Sequence, residues 1–421
     1  MRSGRRALLA AIAAGVGLLL ALAAGEVAIR LAGALSPRVR YLATTAAGQP
    51  EGRYRSLQDY LAARPEHVVP HRPWFNYWTN ALGFHDEEFV VPKPAGRFRV
   101  MAVGDSFTYG LVPYPVSVMT VLEDLLRAAC PGRDLDVLNF GIAGAGVRDY
   151  RALIELATAT YAPDLVLINF YAGNDAPDLF HRGHENDWPH ALLRRSHLWT
   201  YAGNALRLWW GVPDPRSVAT SVQGAAPATP PPGVAPRGGH AIDPGRPIDE
   251  RDPALVGPIF SEAAFDQILA EELGRLYVPT DREDLARLWR RTLATLDEAR
   301  ADVARHGARL AIDVYPSAVQ VDADLRAALI DRLHRRRRYA ALDASAIDPG
   351  LPERLVVEYC RSQGLACLDL TPAFVRARAE SPEPLYKARD AHWTIRGNLV
   401  AARAQAAHLA PLVCPPGPAG S

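Results

Sequence analysis

A serine stands where an apolar run meets a turn, in Gly104-Asp105-Ser106-Phe107-Thr108-Tyr109-Gly110. The run before it, Phe98-Arg99-Val100-Met101-Ala102-Val103, reads as a buried strand. The Ser106 hydroxyl is therefore placed rigidly at the carboxyl edge of a sheet, where ligands bind in open α/β folds. A free hydroxyl is a weak nucleophile and needs a base that a third group orients. The far end of the chain offers both in Asp390-Ala391-His392-Trp393. His392 can take the Ser106 proton, and Asp390 can accept the imidazole Nδ1–H and fix its tautomer. Acyl transfer also needs donors for an oxyanion. The Ser106 and Gly144 backbone N–H groups and the Asn174 side-chain amide are the candidates. Asp105 and Asp175 read instead as structural residues that bond loop amides, and Arg148 and Arg389 as surface residues.

These groups meet only if strands and helices alternate. Arg99–Val103, Leu135–Phe140, Leu165–Phe170, Leu310–Tyr315 and Leu365–Leu370 read as strands. Helical periodicity covers Val116–Ala129, Arg148–Tyr161, Arg282–His306, Asp322–Arg338, Leu351–Gln363 and a last helix from the Thr394 cap to about Leu409. The alternation predicts a parallel sheet with helices on both faces. The loops Gly104–Ser106, Gly141–Gly146 and Gly173–Asp175 then share one edge.

Before this core, residues 36–97 read as a cap segment with an aromatic cluster of Trp74, Phe75, Tyr77 and Trp78. The core, 98–410, is interrupted by an insertion at 176–260. Residues 184–210 suggest a helical flap, and Val212–Pro258 is rich in Pro, Gly and Ala, the composition of a flexible segment. Residues 411–421 read as a disordered tail.

The N-terminus adds a location. Ala7–Gly25 is free of charge and follows Arg2, Arg5 and Arg6. The stretch is long enough to cross a bilayer, and the basic flank places the chain beyond it outside the cytoplasm. An uncleaved membrane anchor over residues 1–35 is the expectation; secretion after cleavage near Ala21-Leu22-Ala23 is the alternative.

Several function classes are set aside. Net charge is +1, and Arg335–Arg338 is the single basic run, so no nucleic-acid partner is expected. Gly141-x-x-Gly144-x-Gly146 has the wrong order for a dinucleotide fingerprint, and no Walker lysine is present. Thr108 stands where a Gly-x-Ser-x-Gly elbow needs its second glycine. Cys130, Cys360, Cys367 and Cys414 match no zinc spacing, and no metal or cofactor is expected. Cys360 and Cys367 either close a short disulfide loop or are small buried residues.

Taken singly, the site residues have plainer readings: a turn serine, a capping His392 or Asp390, an Asx-turn Asn174, a packing Gly144. Together and in order they resemble the SGNH (GDSL-type) serine hydrolases. Gly104-Asp105-Ser106, Asn139–Gly144, Gly173-Asn174-Asp175 and Asp390-Ala391-His392 correspond to that family's four blocks. The resemblance covers about 98–175 and 309–410. It implies a flavodoxin-like three-layer α/β/α fold and a catalytic Ser106-His392-Asp390 triad with Ser106, Gly144 and Asn174 as the oxyanion hole. In the commonest pattern the aspartate lies three residues before the histidine, and here Arg389 is there. The two-residue spacing with Trp393 following is similar to a bacterial subgroup and to alginate-type O-acetyltransferases. Three functions follow: an exported, membrane-anchored esterase or deacylase; an O-acyltransferase on an envelope or secreted glycan; a non-catalytic glycan-binding module. The implied partner is an acylated small molecule, lipid or glycan.

Overall fold

The computed structural model describes residues 2–36, 39, 43, 54–62, 64, 67–176, 196–209, 242, 247–276, 283–335 and 344–414. Much of the 176–260 insertion, including Trp188 and Trp210, most of the Arg335–Arg338 run and the tail beyond 414 lie outside the described residues. The chain forms two units, Met1–Arg53 with His181–Ser217 and Tyr54–Phe180 with Val218–Ser421.

The first unit is built on helix α1 (Arg2–Leu35). Its segment Ala13–Leu35 has a mean hydropathy of 1.9 and buries almost nothing within the protein. Leu18, Leu19, Leu20 and Leu31 are all exposed, unlike the side chains of a core helix. The helix is long and apolar enough to cross a membrane. A further helix of this unit is His197–Trp209, within the stretch read as a flap. Its first turn is capped from α1: Glu26 accepts from the Ser196 hydroxyl and from the His197 and Leu198 N–H groups at 2.8–3.0 Å.

The second unit opens with α2 (Leu57–Ala62) and a two-strand ladder of Pro73–Trp74 with Tyr77–Trp78. Then come β1 (Phe98–Gly104), α3 (Ser106–Tyr109), α4 (Val118–Ala129), β2 (Leu135–Gly141), α5 (Val147–Tyr161) and β3 (Leu165–Tyr171). Past the insertion the chain forms α6 (Pro253–Val256), α7 (Glu262–Leu276), α8 (Glu283–Arg305), β4 (Arg309–Tyr315), α9 (Ala318–Val321), α10 (Ala323–His334) and α11 (Leu351–Gln363). It ends with β5 (Ala366–Asp369), α12 (Thr371–Glu380) and α13 (Ile395–Val413).

The five strands are parallel in the order β2-β1-β3-β4-β5. This is the flavodoxin-like order, and its switch in direction lies between β1 and β3. Strand periodicity sends alternate residues to opposite layers. Met101, Val103, Ile168 and Ile312 pack with α5, α7, α8, α10 and α11. Val100, Ala102, Leu167 and Ala311 pack with α4, α12 and α13. Helices thus cover both faces, as the apolar runs of the strands require. The cap segment closes the β2 edge: Asp86 accepts from the Asn139 N–H at 2.8 Å, and Asn139 donates to the His85 carbonyl.

Of the helices that periodicity did not mark, α7 and α12 are the longest, and α13 runs past residue 410 to Val413. Cys360 pairs with Cys367, and Cys130 with Cys414, which ties the end of α13 to the end of α4.

Candidate active site

Ser106 opens α3 directly after β1. Asp105 is the N-cap, and its carboxylate accepts from the Phe107 N–H at 2.9 Å. The turn is tight enough that a Cβ on Gly104 would meet Thr108 Oγ1 at 1.9 Å, so only glycine fits there. The Ser106 N–H, at the first helical position, has no intrahelical acceptor. From the cap segment, the Trp74 indole donates to the Gly110 carbonyl at 3.2 Å, and buried His85 Nδ1 lies 3.0 Å from the Tyr109 carbonyl. The aromatics of that segment thus brace the helix that carries the serine.

Ser106 Oγ is 2.7 Å from His392 Nε2, and His392 Nδ1 is 2.7 Å from Asp390 Oδ1. Residues 286 positions apart therefore form one hydrogen-bonded line. The loop that carries them closes on itself: Lys387 N–H donates to the His392 carbonyl, and Asp390 N–H to the Lys387 carbonyl. Trp393 anchors it. Its indole is 2% exposed and packs on Phe107, Tyr315 and Phe374 with ring centroids 4.6–5.0 Å apart. Burial of an aromatic this size contributes about 2–3 kcal/mol. Thr394 then caps α13 by accepting from the Gly397 N–H.

Burial by itself would push the Asp390 carboxyl up. The partnership with His392 and the charge of Lys387 outweigh it and hold Asp390 below the usual carboxylate range. Asp105 behaves in the opposite way. It is fully buried, and desolvation raises it to about 6 against the Phe107 N–H, His392 and the Asn174 amide. Its Oδ2 has no hydrogen-bond partner of good geometry.

Gly144 and Asn174 sit in the loops after β2 and β3, both at exposed positions. Gly144 has φ of 73°, in the left-handed region, and no described residue accepts from its N–H. Its loop is pinned by Asp149 in the first turn of α5, whose Oδ2 accepts from the Gly146 N–H. The same carboxylate takes the Tyr60 hydroxyl at 2.9 Å and pairs with buried Arg64. Asp175 accepts from the Tyr171 N–H and the Tyr150 hydroxyl, both at 2.7 Å. Arg148 is half-buried on α5, and Arg389 is exposed with φ of 50°. Among the described residues no group of three His, Cys, Asp or Glu side chains is set to hold a metal ion.

Residues 100–192 match the family model described as GDSL-like lipase/acylhydrolase. That stretch is similar to a GDSL-type acylhydrolase domain. The match spans the β1 turn with Ser106, the Gly144 loop and the Asn174 loop; His392 and Asp390 lie beyond it. No curated protein matches the sequence. Solved structures that resemble the chain include Axe2, an acetylxylan esterase from Geobacillus stearothermophilus, at 14% identity and a TM-score of 0.36. A catalytic mutant of Axe2 is similar at 13% and 0.36. LAE5, an alpha/beta hydrolase enzyme from the metagenome of Lake Arreo, Spain, is similar at 14% and 0.33. In each case 74% of this chain and 94% of the other are covered.

Ser106, His392 and Asp390 were singled out from the sequence. Lys387 was not. It lies three residues before Asp390 and is 4% exposed, and a lone lysine in a loop carries no signal that it will be buried.

Proposed function

We propose that the chain is an exported serine esterase or deacylase, anchored by α1 with its catalytic unit outside the cytoplasm. The observation that carries the reading is the continuous line Ser106 Oγ, His392 Nε2, His392 Nδ1, Asp390 Oδ1, with both contacts at 2.7 Å. In this reading Ser106 Oγ attacks the ester carbonyl carbon while neutral His392 takes its proton at Nε2. Asp390 holds the imidazole tautomer and stabilises the imidazolium. The oxyanion is received by the Ser106 and Gly144 N–H groups and the Asn174 amide, and loss of one such donor typically costs about 3–4 kcal/mol in the barrier. Collapse of the tetrahedral intermediate expels the alcohol, which is protonated by His392. Water then repeats the sequence on the acyl-enzyme.

Transfer to a sugar hydroxyl instead of water is the second reading. It rests on the two-residue spacing of Asp390 and His392, with Trp393 walling the loop from beneath. A binding module without catalysis is the third. The test is product analysis with an acetylated glycan, with and without an unacetylated acceptor sugar. Hydrolysis yields free acetate at a rate that the acceptor does not change. Transfer yields acetylated acceptor at the expense of acetate. Neither product would leave only binding.

A further inference from the structure

The loop that bears Asp390 and His392 is strapped by the far end of the insertion. Ala388 N–H donates to the Val256 carbonyl at 2.7 Å. The Ile259 and Phe260 N–H groups donate back to the Ala388 and Arg389 carbonyls at 3.2 and 3.1 Å. Gly257, between them, has φ of 81°, and a Cβ there would meet the Ala388 carbonyl oxygen at 2.3 Å. Residues 252–260 are thus shaped to lie against 387–389, although their composition marks them as part of a loose insertion.

One side chain joins this strap to the nucleophile. Lys387 Nζ donates to the Leu111 carbonyl at 2.7 Å and to the Ala254 carbonyl at 2.8 Å. Leu111 follows the helix of Ser106 by two residues, and Ala254 lies in α6. The Phe75 ring of the cap segment is 5.9 Å from Nζ. The charged groups that face the ammonium are Asp390 on its own loop and Asp252 at the α6 N-cap; the Leu111 and Phe75 segments present only a carbonyl and a ring. Burying an ammonium is costly unless it is paired and hydrogen-bonded. Two carbonyls and two carboxylates offset that cost here, and a neutral apolar side chain would fill the same space without it.

We propose that Lys387 is a positioning residue of the acyl-transfer site: it fixes the Asp390–His392 loop in register with Ser106 and sets its charge against the Asp390 carboxylate. The inference rests on the triad reading given above. Burial pushes Lys387 down to about 8, against the pull of Asp390 and Asp252, so the ammonium is present at neutral pH. Its sign has a consequence. A cation beside Asp390 disfavours its protonation, so its removal moves the acid limb of the pH–rate profile upward.

The experiment compares Lys387→Met, Lys387→Arg and Gly257→Ala in the full chain with an acetyl ester. Lys387→Met is expected to lower kcat by about 10–100-fold, the scale of a small misplacement, with little change in KM. Its acid limb should rise by about half a pH unit or more. Lys387→Arg should restore the position of that limb, and Gly257→Ala should lower kcat without moving it. If Lys387→Met does not fold, Lys387→Gln removes the charge but keeps a donor and gives the same readout. A neutral variant with wild-type kcat, or with a lowered kcat and an unmoved limb, would overturn the proposal. Ser106→Ala separates this failure from that of the site itself: retained turnover there sinks the triad reading, whatever Lys387 does.

Discussion

Replacing Asp390 with asparagine removes one charge and almost no volume. Asp390 is 2% exposed, and its Oδ1 receives the Nδ1–H of His392 at 2.7 Å. No solvent can take over that contact. An asparagine amide can turn its NH2 toward Nδ1, and the imidazole proton then moves to Nε2. That atom faces Ser106 Oγ at 2.7 Å, so the lone pair that should accept the serine proton is lost. The variant also leaves the imidazolium of the transition state without its counter-charge. The wrong tautomer in a triad of this kind costs about 10⁴ in kcat, which is about 5 kcal/mol of barrier. The assay is turnover of p-nitrophenyl acetate from pH 5 to 9. Wild-type turnover needs the neutral imidazole as its base. Asp390→Asn should be slower by several orders of magnitude throughout, with KM little changed and the chain still folded. Activity within tenfold of wild type would refute the reasoning and move the orienting role to another group.

Two predictions concern stability. The Cys130–Cys414 bridge closes a loop with a sequence separation of 284, against 7 for Cys360–Cys367. Chain entropy assigns about 5–6 kcal/mol to the first and about 2–3 kcal/mol to the second. Cys414→Ser should therefore lower the non-reduced melting temperature more than Cys367→Ser, and equal shifts would contradict this. Asp313 is fully buried beneath α13, where Gln405 donates to its Oδ2 at 2.9 Å and His408 Nε2 lies 3.7 Å from its Oδ1. Desolvation raises it to about 7, above its unfolded value, so the stability linked to its proton is present at acid pH and is lost as pH climbs through about 7. The span amounts to at most about 4 kcal/mol. Asp313→Asn should flatten the decline in unfolding free energy between pH 5 and 7.5, and an unchanged slope in urea titrations would reject the assignment.

The parallel core was legible because its strands are buried on both faces. Phe98–Gly104 and Leu165–Tyr171 are buried throughout and apolar apart from Arg99 and Asn169, and glycine or polar residues mark where each run ends. Ser106, Asp390 and His392 stood out by type and place, and the structure sets them in one hydrogen-bonded line; the roles assigned to them are what the kinetic experiments test. Helix α7 escaped because it follows directly on a Pro-rich stretch, though Phe265, Leu269 and Leu273 already mark its buried stripe at four-residue spacing. Helix α12 is short and opens with Pro372 one residue after Thr371, a pattern that also suits a turn. The Cys130–Cys414 bridge depends on α4 and α13 lying side by side, which no local spacing encodes. Lys387 is the same case: its burial arises only when Leu111, Ala254 and Phe75 converge on it.

The central claim is that the Ser106 hydroxyl is activated by His392. Intact-protein and peptide mass spectrometry after treatment with a fluorophosphonate tests it most directly, on wild type, Ser106→Ala and His392→Ala. The account predicts one adduct per chain on Ser106, none on Ser106→Ala, and labelling of His392→Ala slowed by orders of magnitude. A wild-type rate of labelling in His392→Ala, or an adduct on another residue, would contradict it.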